Sequence, residues 1–289
     1  MYKYILITPV RDEETFIEKT IKSVIGQTVL PVRWVIVSDG STDHTDDIVK
    51  KYLKEYPWIE LMRMPERARR HFAGKAHAFN AGYERVRNLE YDIIGNLDAD
   101  TSFDPEYFSF LLKKFESDPK LGVGGTPFIE NGVQYDYRFS RKEHVSGQCQ
   151  LFRRECFESI GGYIPLEKGS IDLVAVVTAR MKGWKTETFT DKTYIHNRLM
   201  GSAYSHPIKS AFRMGYLNYI MGSHPVWQLL RSIYQMGRKP FILKGSMFLA
   251  GYFWAMLIRA KMPVSREFVR FRRKEQMRWL KEYFIRSLP

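Results

Sequence analysis

Short apolar runs alternate with helical stretches along the first part of the chain. The runs have the length and the Ile, Val and Leu content of strands buried on both faces, and they lie at 2–10, 33–40, 58–64 and 92–98. Stretches with helical character lie between them, at 13–27, 41–56 and 74–86. This alternation predicts βαβ units with right-handed crossovers, and therefore a mainly parallel sheet. Ser41 or Thr42 is expected to cap the second helix.

Polar residues collect where three of these strands end. They lie at Thr8–Glu13, at Asp39–Ser41 and at Asp98–Asp100. Ligands bind beyond the carboxyl ends of the strands in open α/β sheets, so we expect the three clusters to converge on one cleft.

The third cluster contains two carboxylates, Asp98 and Asp100, with no basic residue beside them in the sequence. Residues two apart on an extended chain point to the same side. A hard divalent cation such as Mg²⁺ or Mn²⁺ takes oxygen ligands and shares its shell with phosphate oxygens, so it would neutralise the pair. The alternative is a solvated Asx turn leading into a helix at Pro105.

Composition limits the classes of protein to which the chain can belong. The chain has 289 residues, of which 44% are hydrophobic, enough for one large core or a core with an appendage. Its two cysteines, Cys149 and Cys156, are too few and wrongly spaced for a zinc site or a disulfide framework. No signal peptide opens the sequence, and a reducing cytoplasmic location is expected.

Charge divides the chain into two parts. Residues 207–289 hold 16 basic and 3 acidic residues, an excess equal to the net charge of +13 of the whole chain. We therefore expect a neutral domain at 1–206 and a basic, amphipathic helical region at 207–289.

The basic region has the features of a membrane-surface segment. Its apolar run Gly245–Ile258 would be about 21 Å long as a helix, shorter than the roughly 30 Å of a hydrocarbon core. Cations flank the run and aromatic residues lie within it, which favours an interfacial or re-entrant position on an anionic membrane. Alternatively, these helices pack on the first domain or form a dimer.

Six motifs occur in a characteristic order: TPVRDEE, VSDGSTDHT, AGKAHAFNAG, NLDADTSF, SIGGY and SIDLVAVVTARMKGW. Over roughly residues 3–200 the chain resembles inverting family-2 glycosyltransferases of the GT-A fold. The resemblance implies an α/β fold, with a Rossmann-like, mixed but mainly parallel sheet flanked by helices. A C-terminal helical appendage would follow it.

The resemblance also implies a nucleotide-sugar site. Asp39 matches the acidic residue that binds the nucleobase, although an Asp before Gly40 also suits a simple turn. The first nucleotide-binding loop corresponds to Thr8, Pro9, Arg11 and Glu13, with Arg11 where an aromatic residue is common.

Phosphate and metal contacts follow from the same resemblance. Arg70 and Lys75 belong to a basic loop and helix start suited to a diphosphate. Asp98 would face the ribose or sugar, and Asp100 would coordinate the metal, Mn²⁺ or Mg²⁺. His196 lies in the region where a His supplies a third metal ligand in some GT-A enzymes, but a lone His is also often a solvated or packing residue.

Inverting transfer requires a base that deprotonates the acceptor hydroxyl. Asp172 matches the family's base at a helix start, with Ile171 where a Glu is usual. A carboxylate there could instead only complement the helix dipole, with Ser170 as the cap.

The predicted function is metal-dependent, inverting transfer from a UDP- or GDP-sugar to a hydroxyl or phosphate acceptor. The expected acceptor is a lipid-linked glycan or polyprenyl phosphate at the inner face of the cell membrane. A nucleotidyltransferase should show an early glycine-rich phosphate loop, which TPVRDEE lacks. A basic nucleic-acid-binding protein fits the pI of about 9.6, but it does not explain the order of the motifs, so no nucleic acid is expected.

Overall fold

The computed structural model describes residues 2–65, 73–130, 132–134, 141–198, 207–237 and 239–286. The chain forms two compact units, Met1–Leu199 and Met200–Pro289. The first unit contains strands and helices, and the described part of the second is helical.

The first unit alternates strands and helices. Its strands are β1 (Tyr4–Val10), β2 (Arg33–Ser38), β3 (Ile59–Arg63), β4 (Ile93–Leu97), β5 (Thr101–Ser102), β6 (Leu121–Gly125), β7 (Phe128–Glu130), β8 (Val133–Gln134), β9 (Cys149–Arg153), β10 (Lys185–Thr188) and β11 (Tyr194–His196). Its helices are α1 (Ile17–Ile25), α2 (Thr45–Leu53), α3 (Ala73–Val86), α4 (Tyr107–Ser117), α5 (Arg154–Ser159) and α6 (Ile171–Met181).

Two sheets organise the described residues of this unit. The main sheet has seven strands in the order β10-β6-β9-β4-β1-β2-β3. Its pairs are parallel except where β9 runs antiparallel to β4 and β6, so the predicted mixed, mainly parallel sheet is confirmed. A second sheet, β5-β11-β7-β8, joins short strands that the sequence pattern did not predict.

Helices cover both faces of the main sheet. Apolar residues of α1, α2 and α4 join one core with alternate residues of β1 and β2, including Leu6 and Trp34. On the other face, a Cβ added to Gly82 of α3 would lie 2.8 Å from Ile7 and 2.9 Å from Val37. The missing side chain therefore lets α3 lie directly on β1 and β2. The two cysteines are buried thiols without a disulfide, as expected of packing residues.

The expected cap of α2 is wrong. The helix begins at Thr45, and neither Ser41 nor Thr42 is its N-cap residue. Ser41 accepts a hydrogen bond from the Asp12 amide at 3.2 Å, and the Thr42 amide donates to Asp12 at 2.9 Å. These two residues connect the loop after β2 to the loop after β1, a tertiary role that local sequence does not reveal.

The second unit contains α7 (Pro207–Ile220), α8 (Pro225–Met236), α9 (Leu243–Leu257) and α10 (Arg266–Arg286). α9 contains most of the predicted apolar segment. Among the described residues, no helix combines the length and the apolar character needed to cross a bilayer.

Candidate active site

The loops that follow β1 and β2 meet at one edge of the main sheet. The Asp39 amide donates to the Val10 carbonyl at 2.8 Å, so the residue after β2 lies beside the end of β1. The Asp39 residue is 7% exposed. The Glu13 amide donates to Thr45 Oγ1 at 2.7 Å, which holds the first loop against the start of α2.

Three residues predicted in the first loop have different surroundings. Thr8 is fully buried, and its hydroxyl accepts a hydrogen bond from Trp34 Nε1 at 2.8 Å, so this side chain belongs to the core beneath the loop. Pro9 is half-buried at the strand end. Arg11 is also half-buried, with its Nε 3.9 Å from Asp12 Oδ2.

Arg198 connects the first loop to the paired carboxylates. Its Nη2 forms an ion pair with Glu13 Oε2, and its Nε lies 3.3 Å from Asp100 Oδ2. The guanidinium group also covers the Phe16 ring, at 5.2 Å from the ring centroid. Clusters from the ends of β1 and β4 therefore converge, as the parallel topology predicts.

Lys75 lies at the start of α3 and contacts the first of the paired carboxylates. Its Nζ forms an ion pair with Asp98 Oδ1 and donates to the Gly147 carbonyl at 3.0 Å. Asn96 Nδ2 of β4 donates to the same carbonyl at 2.6 Å. One carbonyl oxygen thus fixes Lys75 and Asn96 together beside Asp98.

The structure differs from the sequence-based interpretation of the carboxylate pair in two respects. β4 ends at Leu97, and the chain turns at 99–100, with Thr101 Oγ1 donating to the Asp98 carbonyl at 2.7 Å. The extended geometry therefore does not continue to Asp100. The carboxylates are also not uncompensated, because Lys75 pairs with Asp98, while Arg198 and His196 contact Asp100. These cations come from distant parts of the chain.

The second sheet brings His196 to Asp100. His196 pairs with Thr101 in the β5–β11 register, directly after Asp100. His196 Nε2 consequently lies 3.5 Å from Asp100 Oδ2. On its other side, Nδ1 lies 3.1 Å from Glu130 Oε2 at the end of β7. The imidazole is thus held between two carboxylates and is 7% exposed.

Charges in this cluster shift the protonation equilibria. Burial raises the pKa of Asp98, against the opposing charge of Lys75. Burial alone would raise the pKa of Asp100. The hydrogen bond with His196 and the charges of His196 and Arg198 have a larger combined effect, so the pKa of Asp100 lies below its usual value. Burial lowers the pKa of His196, yet Asp100 and Glu130 bring it above the usual imidazole value. The site is an ionic network of alternating sign.

The donor atoms at Asp100 fit a divalent cation that shares its shell with a substrate. Asp100 Oδ1 is buried and has no hydrogen-bond partner among the described residues. An unsatisfied buried carboxylate oxygen beside an imidazole offers two metal ligands. Within the described ranges, no group of three or more acidic, His or Cys side chains could hold an ion by itself. Substrate phosphates and water would complete such a shell.

Asp172 of α6 lies beside the residue that Lys75 and Asn96 contact, Gly147. It lies in the first turn of that helix, after Ser170, whose side chain makes no capping hydrogen bond. A Cβ added to Gly147 would lie 2.8 Å from the Asp172 Cβ, so the two residues are in direct contact. Burial raises the pKa of Tyr163 well above its usual value, and the charges of Asp172 and Asp98 add to this effect.

One predicted residue cannot be placed, and three residues of the site were not predicted. Arg70 lies outside the described residues. Sequence reasoning did not identify Glu130, Asn96 and Gly147, although Asn96 begins the NLDAD motif. Glu130 had no sequence signal, because its partner His196 is 66 residues away.

Comparison with known proteins identifies the family. The model of the family described as "Glycosyl transferase family 2" matches residues 5–169. Over 121 residues the chain is 32% identical to the poly-β-1,6-N-acetyl-D-glucosamine synthase of Staphylococcus aureus (strain COL). That match covers 42% of this chain and 27% of the relative, so it spans little more than a quarter of the relative's length.

Solved structures share the fold. A mannosyltransferase, PcManGT from Pyrobaculum calidifontis in complex with GDP-Man and Mn²⁺, aligns with a TM-score of 0.61 at 19% identity, over 100% of this chain and 81% of that chain. S. aureus TarS 1-349 in complex with UDP-GlcNAc aligns with a TM-score of 0.58 at 16% identity, over 93% and 79%. Both are GT-A folds, and the predicted fold class is confirmed. Because the family match covers more than half of the chain, this protein belongs to glycosyl transferase family 2 and is a glycosyltransferase.

Proposed function

We propose that this glycosyltransferase moves a sugar from a UDP- or GDP-sugar to a hydroxyl or phosphate acceptor, with inversion at the anomeric carbon. The observation that carries the proposal is the position of Gly147. Its carbonyl accepts from Lys75, which pairs with Asp98, and its Cα lies against Asp172. The proposed donor site and base are therefore neighbours.

The donor site is built from the loops at the carboxyl ends of the strands. Asp39, buried after β2, would accept a nucleobase N–H, and Glu13 would hold the first loop in place through Arg198. Lys75 and Asp98 would contact the sugar and diphosphate. The nucleotide sugars in the TarS and PcManGT complexes, UDP-GlcNAc and GDP-Man, support this class of donor.

Asp100 and His196 would hold a divalent cation, Mn²⁺ or Mg²⁺. When bound, the ion supplies positive charge that stabilises the departing diphosphate. The unsatisfied Oδ1 of Asp100 and the buried Nε2 of His196 are the two atoms that support this assignment. Glu130, on the far nitrogen of the imidazole, would fix its orientation. The Mn²⁺ in the PcManGT complex agrees with this choice of ion.

Asp172 would act as the general base. It would accept the proton of the acceptor hydroxyl while that oxygen attacks the anomeric carbon and the bond to the diphosphate breaks on the opposite face. Its contact with Gly147, whose carbonyl accepts a hydrogen bond from Lys75, supports a position beside the proposed donor site.

We further propose that residues 1–206 form the transferase domain and that residues 207–289 associate with a membrane. The acceptor would be a lipid-linked glycan or a polyprenyl phosphate at the inner face of the cell membrane. The excess of cations in residues 207–289 supports attraction to anionic lipid. The similarity of one segment to a polysaccharide synthase supports a role in polysaccharide or glycoconjugate synthesis.

A donor panel tests the reaction. The protein is incubated with UDP-GlcNAc, UDP-glucose or GDP-mannose, Mn²⁺ and vesicles containing polyprenyl phosphate, and the released nucleotide and extracted lipid are analysed by mass spectrometry. One donor should give stoichiometric nucleoside diphosphate and glycolipid, with an inverted anomeric configuration by NMR. If pyrophosphate instead appears only from a nucleoside triphosphate and a sugar 1-phosphate, the protein is a nucleotidyltransferase and the proposal is wrong.

A further inference from the structure

The second unit combines close helix contacts and buried polar residues with large apolar residues on its outside. Phe248 and Tyr252 are buried in its interior as well. Helix α9 crosses α7 with its backbone in close contact. A Cβ added to Gly251 would lie 1.9 Å from the Phe212 carbonyl oxygen, and one added to Gly215 would lie 1.9 Å from the Phe248 carbonyl oxygen. Small residues at such crossings are typical of helices that pack in lipid, where burial of large apolar side chains gives no driving force.

Polar side chains are also buried in the interior of this unit. Gln228 of α8 is fully buried; it accepts a hydrogen bond from Asn218 Nδ2 at 3.0 Å and donates to the Phe248 carbonyl at 3.3 Å. Ser232, one turn later, is also fully buried and donates to the Gln228 carbonyl at 2.9 Å. Hydrogen bonds satisfy this network internally, as a polar group in an apolar environment requires.

Large apolar residues cover the outside of α8 and α9. Six of them, each between 44% and 75% exposed, are Leu229, Ile233, Phe253, Trp254, Leu257 and Ile258. Leu229 and Ile233 are four residues apart on α8. Phe253 and Leu257, and Trp254 and Ile258, are four apart at the C-terminal end of α9. Residues four apart lie on the same side of a helix. We call these six residues the apolar face. An exposed apolar surface of this extent is unfavourable in water and favourable in lipid.

Charge identifies the lipid. Residues 207–266 contain no acidic residue, and Lys239, Lys244, Arg259 and Lys261 flank the two ends of α9. Cations beside an apolar surface match the anionic headgroups of a bilayer. The same surface of a second copy would offer them no acidic partner, because residues 207–266 contain none. α9 has 15 residues, so its length is about 22 Å against roughly 30 Å of hydrocarbon. The helix is therefore too short to cross the hydrocarbon core and suits an interfacial position.

We infer that the apolar face of α8 and α9 inserts into one leaflet of an anionic bilayer, with the flanking lysines and arginine at the headgroups. This inference rests on the proposed membrane location and identifies the surface responsible. Inserted in this way, the second unit would anchor the chain at the surface where a lipid-linked acceptor lies.

Vesicle flotation of the full chain tests the inference. Wild-type protein should float with phosphatidylcholine vesicles that contain phosphatidylglycerol, and less with phosphatidylcholine alone. The double variant Phe253→Ser/Leu257→Ser should lower the partition coefficient by more than about tenfold. The matched control Leu30→Ser/Val32→Ser, at positions 44% and 43% exposed in the first unit, should not change it. Equal flotation of the two variants would overturn the inference.

A conservative variant keeps the test independent of folding. Acyl chains carrying bromine should quench part of the tryptophan fluorescence of the wild type. Trp254→Phe should still float but lose that quenched part, whereas Trp184→Phe in the first unit should keep it. Unchanged quenching in Trp254→Phe would place Trp254 outside the acyl region and contradict the inference.

Two further outcomes separate the alternatives. If the wild type does not float and elutes as a dimer that the double variant converts to a monomer, the apolar face is a contact between copies and the inference is wrong. A monomer that does not float also contradicts it. Asp100→Ala should abolish sugar transfer and leave flotation unchanged, so failure of the proposed reaction and failure of the membrane surface are distinguishable.

Discussion

Gly147 lies directly against Asp172, since a Cβ added to Gly147 would lie 2.8 Å from the Asp172 Cβ and 3.0 Å from its Oδ2. The carbonyl of the same glycine accepts hydrogen bonds from Lys75 and Asn96. A single residue without a side chain thus sets the spacing between the proposed base and the proposed donor site.

Replacing this glycine should impair the reaction. In Gly147→Ala, the new methyl group must displace the Asp172 side chain or the loop, because neither contact is with the mobile end of a long side chain. We expect kcat to fall by about 100-fold, in line with the sensitivity of catalysis to small misplacements. Steady-state kinetics with the identified donor measure this, and an unchanged kcat would show that Asp172 is not held at the reaction centre.

Asp172→Asn tests the assignment of the base. Loss of the proton acceptor should reduce kcat by about 10²- to 10⁴-fold while donor affinity stays within error. Glu155→Gln is the matched control, because Glu155 is also the second residue of its helix, α5, and is exposed. If both variants lose only a little stability and no activity, Asp172 serves the helix dipole and not the chemistry.

Glu130 should strengthen metal binding by orienting His196. In Glu130→Ala, the imidazole loses the partner of its Nδ1, and we expect Mn²⁺ affinity to weaken by about 10- to 100-fold. Electron paramagnetic resonance of free Mn²⁺ in the presence of nucleoside diphosphate measures this without turnover. Asp47→Asn, which breaks the exposed pair of His44 and Asp47 at 3.8 Å, is the control. Equal affinity in the wild type and Glu130→Ala would remove Glu130 from the metal site.

The helix crossing in the second unit should not tolerate a side chain. Gly251→Val places a branched side chain where a Cβ alone would lie 1.9 Å from the Phe212 carbonyl oxygen. The free energy of unfolding should fall by about 1–3 kcal/mol or more. Thermal or denaturant unfolding checks this, with Gly237→Ala as the control, because a Cβ there meets nothing closer than 3.6 Å. Similar stability of the two variants would contradict the close crossing.

The sequence predicted the main sheet because its strands are long and apolar enough to show a pattern. β1, β2 and β4 begin and end within two residues of the expected runs. The second sheet was not predicted, because β5, β7 and β11 have only two or three residues each and depend on pairing between distant segments.

The ionic partners of the site could not be predicted for the same reason. The motif NLDAD suggested two uncompensated carboxylates, whereas the fold brings Lys75 to them from α3 and brings His196 and Arg198 from β11 and the residues just after it. The family resemblance supplied the identity of most candidate residues. It did not supply the contact between Gly147 and Asp172 or the role of Glu130 beside His196, which require coordinates.

Metal-dependent nucleotide binding tests the central proposal most directly. Thermal unfolding is measured with UDP, GDP, TDP or CDP, with and without Mn²⁺, for the wild type, Asp100→Ala and Asp104→Ala. Asp104 is the matched control, an exposed carboxylate nearby in the sequence that pairs with Lys192. We expect one nucleotide to raise the wild-type melting temperature only with Mn²⁺, as ligand binding to the folded state requires. Asp104→Ala should keep that shift and Asp100→Ala should lose it. No shift with any nucleotide, or an equal shift in Asp100→Ala, would contradict the proposed site.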